Sequence, residues 1–396
     1  MKILVLVSHP IQYNSPLFSF IASQNSIDLT VYYTRFEASS PPFDQEFGII
    51  TNWNINLFEG YKYEFVNEGS NKNALLTFLG LRLSVIVDKI HKLNPAIILI
   101  YGWNHITHLH IMKHFSGKIP IVFRGDSTTI DDSNKADYVN FIKYKLLKWV
   151  YKHVDFVLSP GTASDLYFKK AGLADFQIIR ARHAVNNAYF NCFSLYEENS
   201  LLDLRKRLLI KDDEVIFVFA GKFILKKNPL FLIEVFEAIS KELKKIRLVL
   251  VGDGDLKNDI LNKINRLDSS ISRRINILPF QDQKQMKIIY RLADIFILPS
   301  SGPEETWGLS INEALASGIP VLVSSKCGCA NDLVIEGING YIFESNNKYD
   351  LISKMKKLND FVYRKSLANQ TKESIQQFSY NSFKKALDQI ISTFEK

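Results

Sequence analysis

Pro299-Ser300-Ser301-Gly302-Pro303-Glu304-Glu305-Thr306-Trp307-Gly308-Leu309-Ser310-Ile311-Asn312-Glu313-Ala314 decides how the rest of the chain is read. The apolar run Ile295–Leu298 stops at Pro299, a loop carries carboxylates and glycines, and a helical pattern starts near Ser310. A strand that ends in a polar loop and feeds a helix is the repeating unit of α/β proteins. The unsatisfied N–H groups of the helix's first turn suit a phosphate or sugar oxygen. Glu305 sits in the loop and Glu313 one turn into the helix. Carboxylates accept hydrogen bonds from vicinal hydroxyls, so two at this spacing can hold a sugar and a ribose of one ligand. The plainer alternative is that acidic residues merely complement the helix dipole, and the adjacent Glu304 is read that way.

Outward from this stretch the same rhythm repeats. Strands are expected at Val215–Phe219, Arg247–Val251, Ile275–Leu278, Ile295–Leu298, Val321–Val323 and Tyr341–Phe343, with helices at Phe231–Leu243, Asn312–Ala316 and Leu351–Leu358. The first half offers strands at Ile3–Val7, Leu29–Tyr33, Ala96–Tyr101, Ile119–Phe123 and Phe156–Leu158, and helices at Leu75–Leu93, Ala136–Lys152 and Ala163–Ala171. Such alternation predicts parallel sheets with crossover helices. Between the halves the pattern loosens into polar residues such as Asn186, Asn187, Glu197, Glu198 and Ser200. The expected organisation is therefore a doubly wound domain over 1–190, a linker over 191–213, a second such domain over 214–378, and a last helix over 379–396 that can pack back on either domain, the first among them. A cleft between two such sheets is where ligands are expected.

Composition narrows the class. A chain of 396 residues with 46% hydrophobic content has room for two cores. Cys192, Cys327 and Cys329 are too few for a disulfide framework, which points to a reducing, cytoplasmic setting. The opening apolar run Ile3–Val7 is too short for a signal peptide, and the run Leu75–Val87 is broken by Arg82, so neither secretion nor a membrane span is expected. The net charge of +8 attracts phosphates of any origin. Its densest part is Phe141–His153, where Lys143, Lys145, Lys148 and Lys152 alternate with Leu146, Trp149 and Tyr151 and no acidic residue intervenes. A solvated helix face is the plain reading, and a basic aromatic face against an anionic membrane at the inner side of the cell is the sharper one.

A second chemical motif is Ala220-Gly221-Lys222-Phe223-Ile224-Leu225-Lys226-Lys227-Asn228-Pro229. A glycine after a strand lets a ligand approach the backbone, and two cations can neutralise a leaving diphosphate without a metal. The alternative is a solvated basic loop.

Together these residues resemble the family 4 retaining glycosyltransferases. The match runs through Pro-Ser…Glu-x-aromatic-Gly-Leu…Glu-Ala-x-Ala-x-Gly-x-Pro-Val as far as Val321. The resemblance implies a GT-B fold, two Rossmann-like doubly wound domains facing a central cleft, with a nucleoside diphosphate sugar as donor and UDP favoured over GDP. It assigns Glu305 to the donor sugar and Glu313 to the ribose, and it gives Gly221, Lys222 and Lys227 to the diphosphate. Phe280 falls to the base, and Thr306, Trp307, Gly308 and Leu309 to the helix-start contacts. Lys222 departs from the family's arginine, replacing a planar fork with a point charge. Gln281 replaces a glycine in Pro279-Phe280-Gln281. Val251-Gly252-Asp253-Gly254 resembles the family's glycine turn, and Gly328 and Glu336-Gly337-Ile338-Asn339-Gly340 also fit as structural glycines.

On the acceptor side, Ser8-His9-Pro10-Ile11-Gln12-Tyr13 resembles a loop of some bacterial members, and His9 is a candidate. Where most members carry a histidine this chain has Arg124-Gly125-Asp126, so Arg124 and Asp126 are candidates for steering the acceptor hydroxyl, with a structural Arg–Asp pair as the alternative. His183 is expected to shape the linker. The implied reaction is transfer of a hexosyl-type group, with retention, to a glycan or lipid-linked glycan acceptor in surface polysaccharide synthesis. Neither a cofactor nor a metal is expected, because no Asp-x-Asp motif stands at a strand end and Asp131-Asp132 lies in a loop. The alternatives are a sugar-nucleotide epimerase of the same fold and a basic nucleic-acid- or glycan-binding protein without turnover. Nucleic acid is not the expected partner, since a non-catalyst need not keep Glu305, Glu313, Lys222 and Lys227 together.

Overall fold

A computed structural model of the chain describes residues 1–34, 43–44, 49–50, 56–66, 83–103, 105–130, 132, 135–302 and 304–394. They divide into two compact units, the first within Met1–Pro42, Ile55–His183 and Tyr380–Lys396, the second within Phe43–Asn54 and Ala184–Ser379.

The first unit is built on a parallel sheet of β1 (Lys2–Val7), β2 (Asp28–Tyr33), β3 (Lys62–Phe65), β4 (Ile97–Tyr101), β5 (Ile121–Arg124), β6 (Phe156–Ser159) and β7 (Ile178–Arg180), in the order β3-β2-β1-β4-β5-β6-β7. The second carries β8 (Val215–Ala220), β9 (Ile246–Val251), β10 (Ile275–Leu278), β11 (Ile295–Leu298), β12 (Val321–Ser324) and β13 (Gly340–Phe343), in the order β10-β9-β8-β11-β12-β13. Both orders run outward from the first strand, turn back and continue on its other side, which is doubly wound topology. Phe43–Asp44 and Ile49–Ile50 form a separate antiparallel pair.

Both faces of these sheets are covered, which is why the strands read as continuous apolar runs. In β1, Leu4 and Leu6 pack with Ile86, Ile90 and Ile111 on one side. Ile3, Val5 and Val7 pack on the other with Phe18, Ile21 and the residues Phe383, Leu387 and Ile390. The latter three belong to helix Tyr380–Phe394, so the end of the chain completes the core of the first unit.

The structure departs from the sequence reading in several places. β3 and β7 were not anticipated; they are the two edge strands, and β3 carries Lys62 and Glu64 while β7 has only three residues. The helix expected over Leu75–Leu93 is described only as Leu83–Leu93, its earlier part lying outside the described residues. The segment expected as a linker over 191–213 is largely helix Leu195–Arg207, preceded by helix Asn187–Asn191, and the boundary between units falls at His183 and Ala184. The polarity that resembles a loop is capping chemistry. The Ser194 amide donates to the Glu197 carboxylate at 2.7 Å, and the Ser194 hydroxyl accepts from the Glu197 amide. Glu197 is also paired with Lys287 at 2.8 Å, fixing this helix to Gln283–Leu292 of the second unit.

Candidate active site

The loops leaving the carboxyl ends of β8, β9, β11 and β12 meet in the second unit. Gly221 follows β8 and donates to the Val251 carbonyl at 3.0 Å. A Cβ on Gly252 would lie 2.0 Å from the Gly221 carbonyl oxygen, and one on Gly254 would lie 2.9 Å from that of Phe223. Both glycines adopt positive φ, so the turn after β9 presses against the Gly221–Phe223 backbone as only glycine allows. The chain then makes a short turn at Leu225–Lys227, passes through Asn228 at φ 58°, and enters helix Pro229–Ile239.

That turn delivers Lys227 to Glu305. The Lys227 Nζ lies 2.6 Å from Glu305 Oε2, and the Ser300 hydroxyl donates to the same oxygen at 3.1 Å. Glu305 is buried, and its partners satisfy one carboxylate oxygen. An ammonium has three N–H donors and Glu305 takes one, leaving a cation anchored beside Gly221, whose Cβ would sit 3.8 Å from Lys227 Cδ. The Ser301 amide donates to the Lys226 carbonyl at 2.9 Å, a backbone tie between the same two loops. From the other side the Gly328 amide donates to the Glu305 carbonyl at 2.9 Å and the Cys329 amide to that of Trp307 at 3.1 Å. A Cβ on Gly328 would overlap the Thr306 oxygen at 1.7 Å, so this glycine fixes the Glu305–Trp307 backbone.

Helix Leu309–Ala316 begins three residues before the expected span Asn312–Ala316 and one before Ser310, because Gly308 supplies the cap at φ 105°. The Trp307 indole N–H donates to Asn312 Oδ1 at 2.8 Å, which pins the loop to the helix's first turn. Glu313 is buried within this helix, and its carboxylate accepts from the Tyr290 hydroxyl at 2.6 Å. Phe280 is half-buried after β10, and the Gln281 side chain folds back to donate to the carbonyls of Pro279 and Phe280. Lys222 is half-buried in the loop after β8. Cys327 and Cys329 are buried free thiols. Burial, reinforced by the Glu305 charge, raises the Cys327 thiol far above its ordinary value and leaves it unreactive. The structure thus gathers Gly221, Lys227, Glu305, Thr306, Trp307, Gly308, Leu309 and Glu313 at one sheet edge.

Residues 202–377 match the family described as glycosyl transferases group 1. Over 156 residues the chain is 31% identical to a lipopolysaccharide 1,2-N-acetylglucosaminetransferase of Salmonella typhimurium, covering 38% of this chain and 40% of the relative. Over 162 residues it is 30% identical to a UDP-Gal:alpha-D-GlcNAc-diphosphoundecaprenol alpha-1,3-galactosyltransferase of Escherichia coli, covering 40% of each. The match therefore spans only about two fifths of the length of these curated relatives. The fold likeness extends over the whole chain: the Anabaena protein HepE, solved in complex with UDP and glucose, superposes with a TM-score of 0.73 at 17% identity, covering 99% of this chain and 100% of that one. The fold is GT-B, with two parallel-sheet α/β units.

Around the group 1 region, sequence reasoning missed Ser300 and Tyr290. Ser300 lies inside the decisive stretch but reads as loop polarity until it is seen beside Glu305. Tyr290 is remote in sequence from Glu313 and carries no local signal. Among the described residues no cluster of three or more His, Cys, Asp or Glu side chains is arranged to hold a metal ion.

In the first unit the expected acceptor residues do not come together in the same way. His9 is exposed, its Nδ1 2.8 Å from the Ser8 hydroxyl, and Asp126 is exposed after β5. Arg124 requires a correction. It is buried at the end of β5, where Nη1 donates to the carbonyls of Leu158, at 2.9 Å, and Ala181, and Nη2 lies 3.3 Å from His183 Nδ1. Its guanidinium joins β5 to β6 and to the chain after β7 rather than standing open to an acceptor hydroxyl. Burial, with the Arg124 charge added, pushes the His183 imidazole well below its ordinary value, so it faces Arg124 as a neutral acceptor.

Proposed function

We propose that the chain is a retaining glycosyltransferase that moves a hexosyl-type group from a nucleoside diphosphate sugar, with UDP preferred, to a hydroxyl of a glycan or lipid-linked glycan. The observation that carries this reading is the Lys227–Glu305 pair, a cation and a carboxylate locked 2.6 Å apart beside the glycine turn after β8. Lys227, with Lys222, stabilises charge on the departing diphosphate, and Glu305 accepts from hydroxyls of the donor sugar. Glu313, steadied by Tyr290, accepts from the ribose. The anomeric carbon–oxygen bond to the diphosphate breaks with its electron pair leaving on phosphate. The acceptor oxygen forms the new bond on the same face, and its proton passes to the departing diphosphate. No metal is required, because fixed cations replace it. Preference for UDP is supported by HepE, which was solved with that nucleotide. A bacterial surface-polysaccharide role is supported by the Salmonella and Escherichia relatives. Such acceptors place the chain at the cytoplasmic face of the cell membrane; among the described residues no helix is long and apolar enough to cross it.

A thermal-shift panel of UDP, GDP, ADP and TDP, with and without EDTA, tests the reading. UDP at a hundredfold excess over its dissociation constant is expected to stabilise by about 2.7 kcal/mol, unchanged by EDTA. A shift that vanishes with EDTA would overturn metal independence, and no shift with any nucleotide would overturn the donor site.

A further inference from the structure

Helix Asp137–Tyr151 turns its small apolar side, Leu147, Val150 and Tyr151, into the core of the first unit. The opposite side carries Tyr138, Phe141, Ile142, Leu146 and Trp149, each between 47% and 69% exposed. Tyr138, Ile142, Leu146 and Trp149 recur every three or four residues with Phe141 beside Ile142, so they form one stripe along a helix of 15 residues, about 22 Å long. Water contact with five large apolar side chains in a row is costly, and isolated exposure does not account for a continuous stripe.

From Phe141 onward the charge around the stripe has one sign; the helix's one acidic residue, Asp137, stands in its first turn beside Tyr138. Lys145 lies over the Phe141 ring at 4.5 Å and Lys152 over the Trp149 ring at 6.0 Å, while Lys148 is exposed on the same helix. His153 next to Trp149 is held below its ordinary value by burial and then by the charges of Lys152 and Lys113, so Lys113 of the neighbouring helix extends the basic field. The nearby carboxylate of Asp132 is occupied elsewhere: it accepts from Lys143 at 2.8 Å and from the Tyr144 hydroxyl at 2.5 Å, and it pairs with Lys170 at 3.3 Å. Aromatic side chains that reach outward with lysines folded along them match the interface of a bilayer, where rings sit at headgroup depth and ammonium groups meet lipid phosphates.

We infer that helix Asp137–Tyr151 is an interfacial docking element for an anionic phospholipid surface, with Tyr138, Phe141, Ile142, Leu146 and Trp149 inserted and Lys145, Lys148 and Lys152 at the headgroups. Docking rests on the glycosyltransferase reading for its purpose, delivery of a lipid-linked acceptor, and on this surface for its existence.

The test is co-sedimentation of the full chain with phosphatidylcholine vesicles, plain or containing phosphatidylglycerol. The wild-type chain is expected to bind the anionic vesicles and to release in high salt. The triple change Lys145→Glu, Lys148→Glu and Lys152→Glu is expected to lower partitioning by about 100-fold or more, since each lysine near such a surface contributes roughly fivefold. Phe141→Ser with Trp149→Ser is expected to lower it by about tenfold or more. Absence of wild-type binding, or equal binding by the lysine variant, would overturn the inference. So would a wild-type dimer, seen by light scattering, that the Phe141→Ser and Trp149→Ser changes dissociate, because the stripe would then be a contact between copies. The UDP thermal shift is measured on every variant. Its retention shows that the variants fold, and its absence in a wild-type chain that still binds vesicles would sink the donor reading and leave docking intact.

Discussion

At the carboxyl edge of the second sheet a cation and a carboxylate, Lys227 and Glu305, hold each other at 2.6 Å within a frame of glycines that brings four loops together. At the same edge of the first sheet the cation is Arg124, and it is buried against the carbonyls of Leu158 and Ala181. Six strands of the first sheet follow the order of the second, so topology alone does not make a site. The difference is one of attachment. Lys227 meets the Glu305 carboxylate with one of an ammonium's three N–H donors, whereas Arg124 turns Nη1 to the protein's own backbone and Nη2 to His183.

This contrast can be broken, and the largest effect is expected on the structural side. Arg124→Met should orphan two buried carbonyls and cost roughly 4 kcal/mol in urea unfolding, with UDP affinity of the folded protein kept within about twofold. A wild-type stability with UDP binding lost would reverse the roles assigned to the two edges.

Close behind comes His108, also in the first unit. It is fully buried, with Nδ1 2.8 Å from the Gly102 carbonyl and Nε2 3.1 Å from the Thr34 hydroxyl. Burial pushes its imidazole from 6.5 down to about 4. The unfolded chain therefore binds the extra proton between these values while the folded chain does not. Stability is complete above about 6.5 and declines as pH falls toward 4, by about 3 kcal/mol in all. His108→Gln should flatten that part of the pH profile; an unchanged slope would assign acid sensitivity elsewhere.

Lys227→Ala should leave the fold in place and weaken UDP by about 10- to 100-fold in titration calorimetry, the weight of a charge-assisted contact. Unchanged affinity would remove Lys227 from the site. The smallest change sharpens the picture: Tyr290→Phe removes the hydroxyl 2.6 Å from Glu313 and should weaken UDP by roughly fivefold, or about 1 kcal/mol. Pyrophosphate, which lacks a ribose, should bind the variant as it binds the wild type; an equal loss for both ligands would refute the ribose assignment to Glu313.

Much of this was legible beforehand, for identifiable reasons. Central strands such as Val215–Ala220 and Ile295–Leu298 are covered on both faces, and continuous apolar runs record that directly. Edge strand Lys62–Phe65 does not, because half of its side chains face water. The helix Leu195–Arg207 was hidden by the same polar residues that cap it. Glu305 and Glu313 stood out because their spacing is local. Their hydroxyl partners Ser300 and Tyr290 gained meaning only from proximity.

The sequence by itself determined which residue types stand at the ends of the strands, since apolar runs, glycines and prolines act over a few positions. Only the tertiary structure decided what those residues do. Whether a cation at a strand end meets a carboxylate, as Lys227 does, or closes on buried carbonyls, as Arg124 does, depends on partners from 34 to 78 residues away that chain folding alone brings within hydrogen-bond reach.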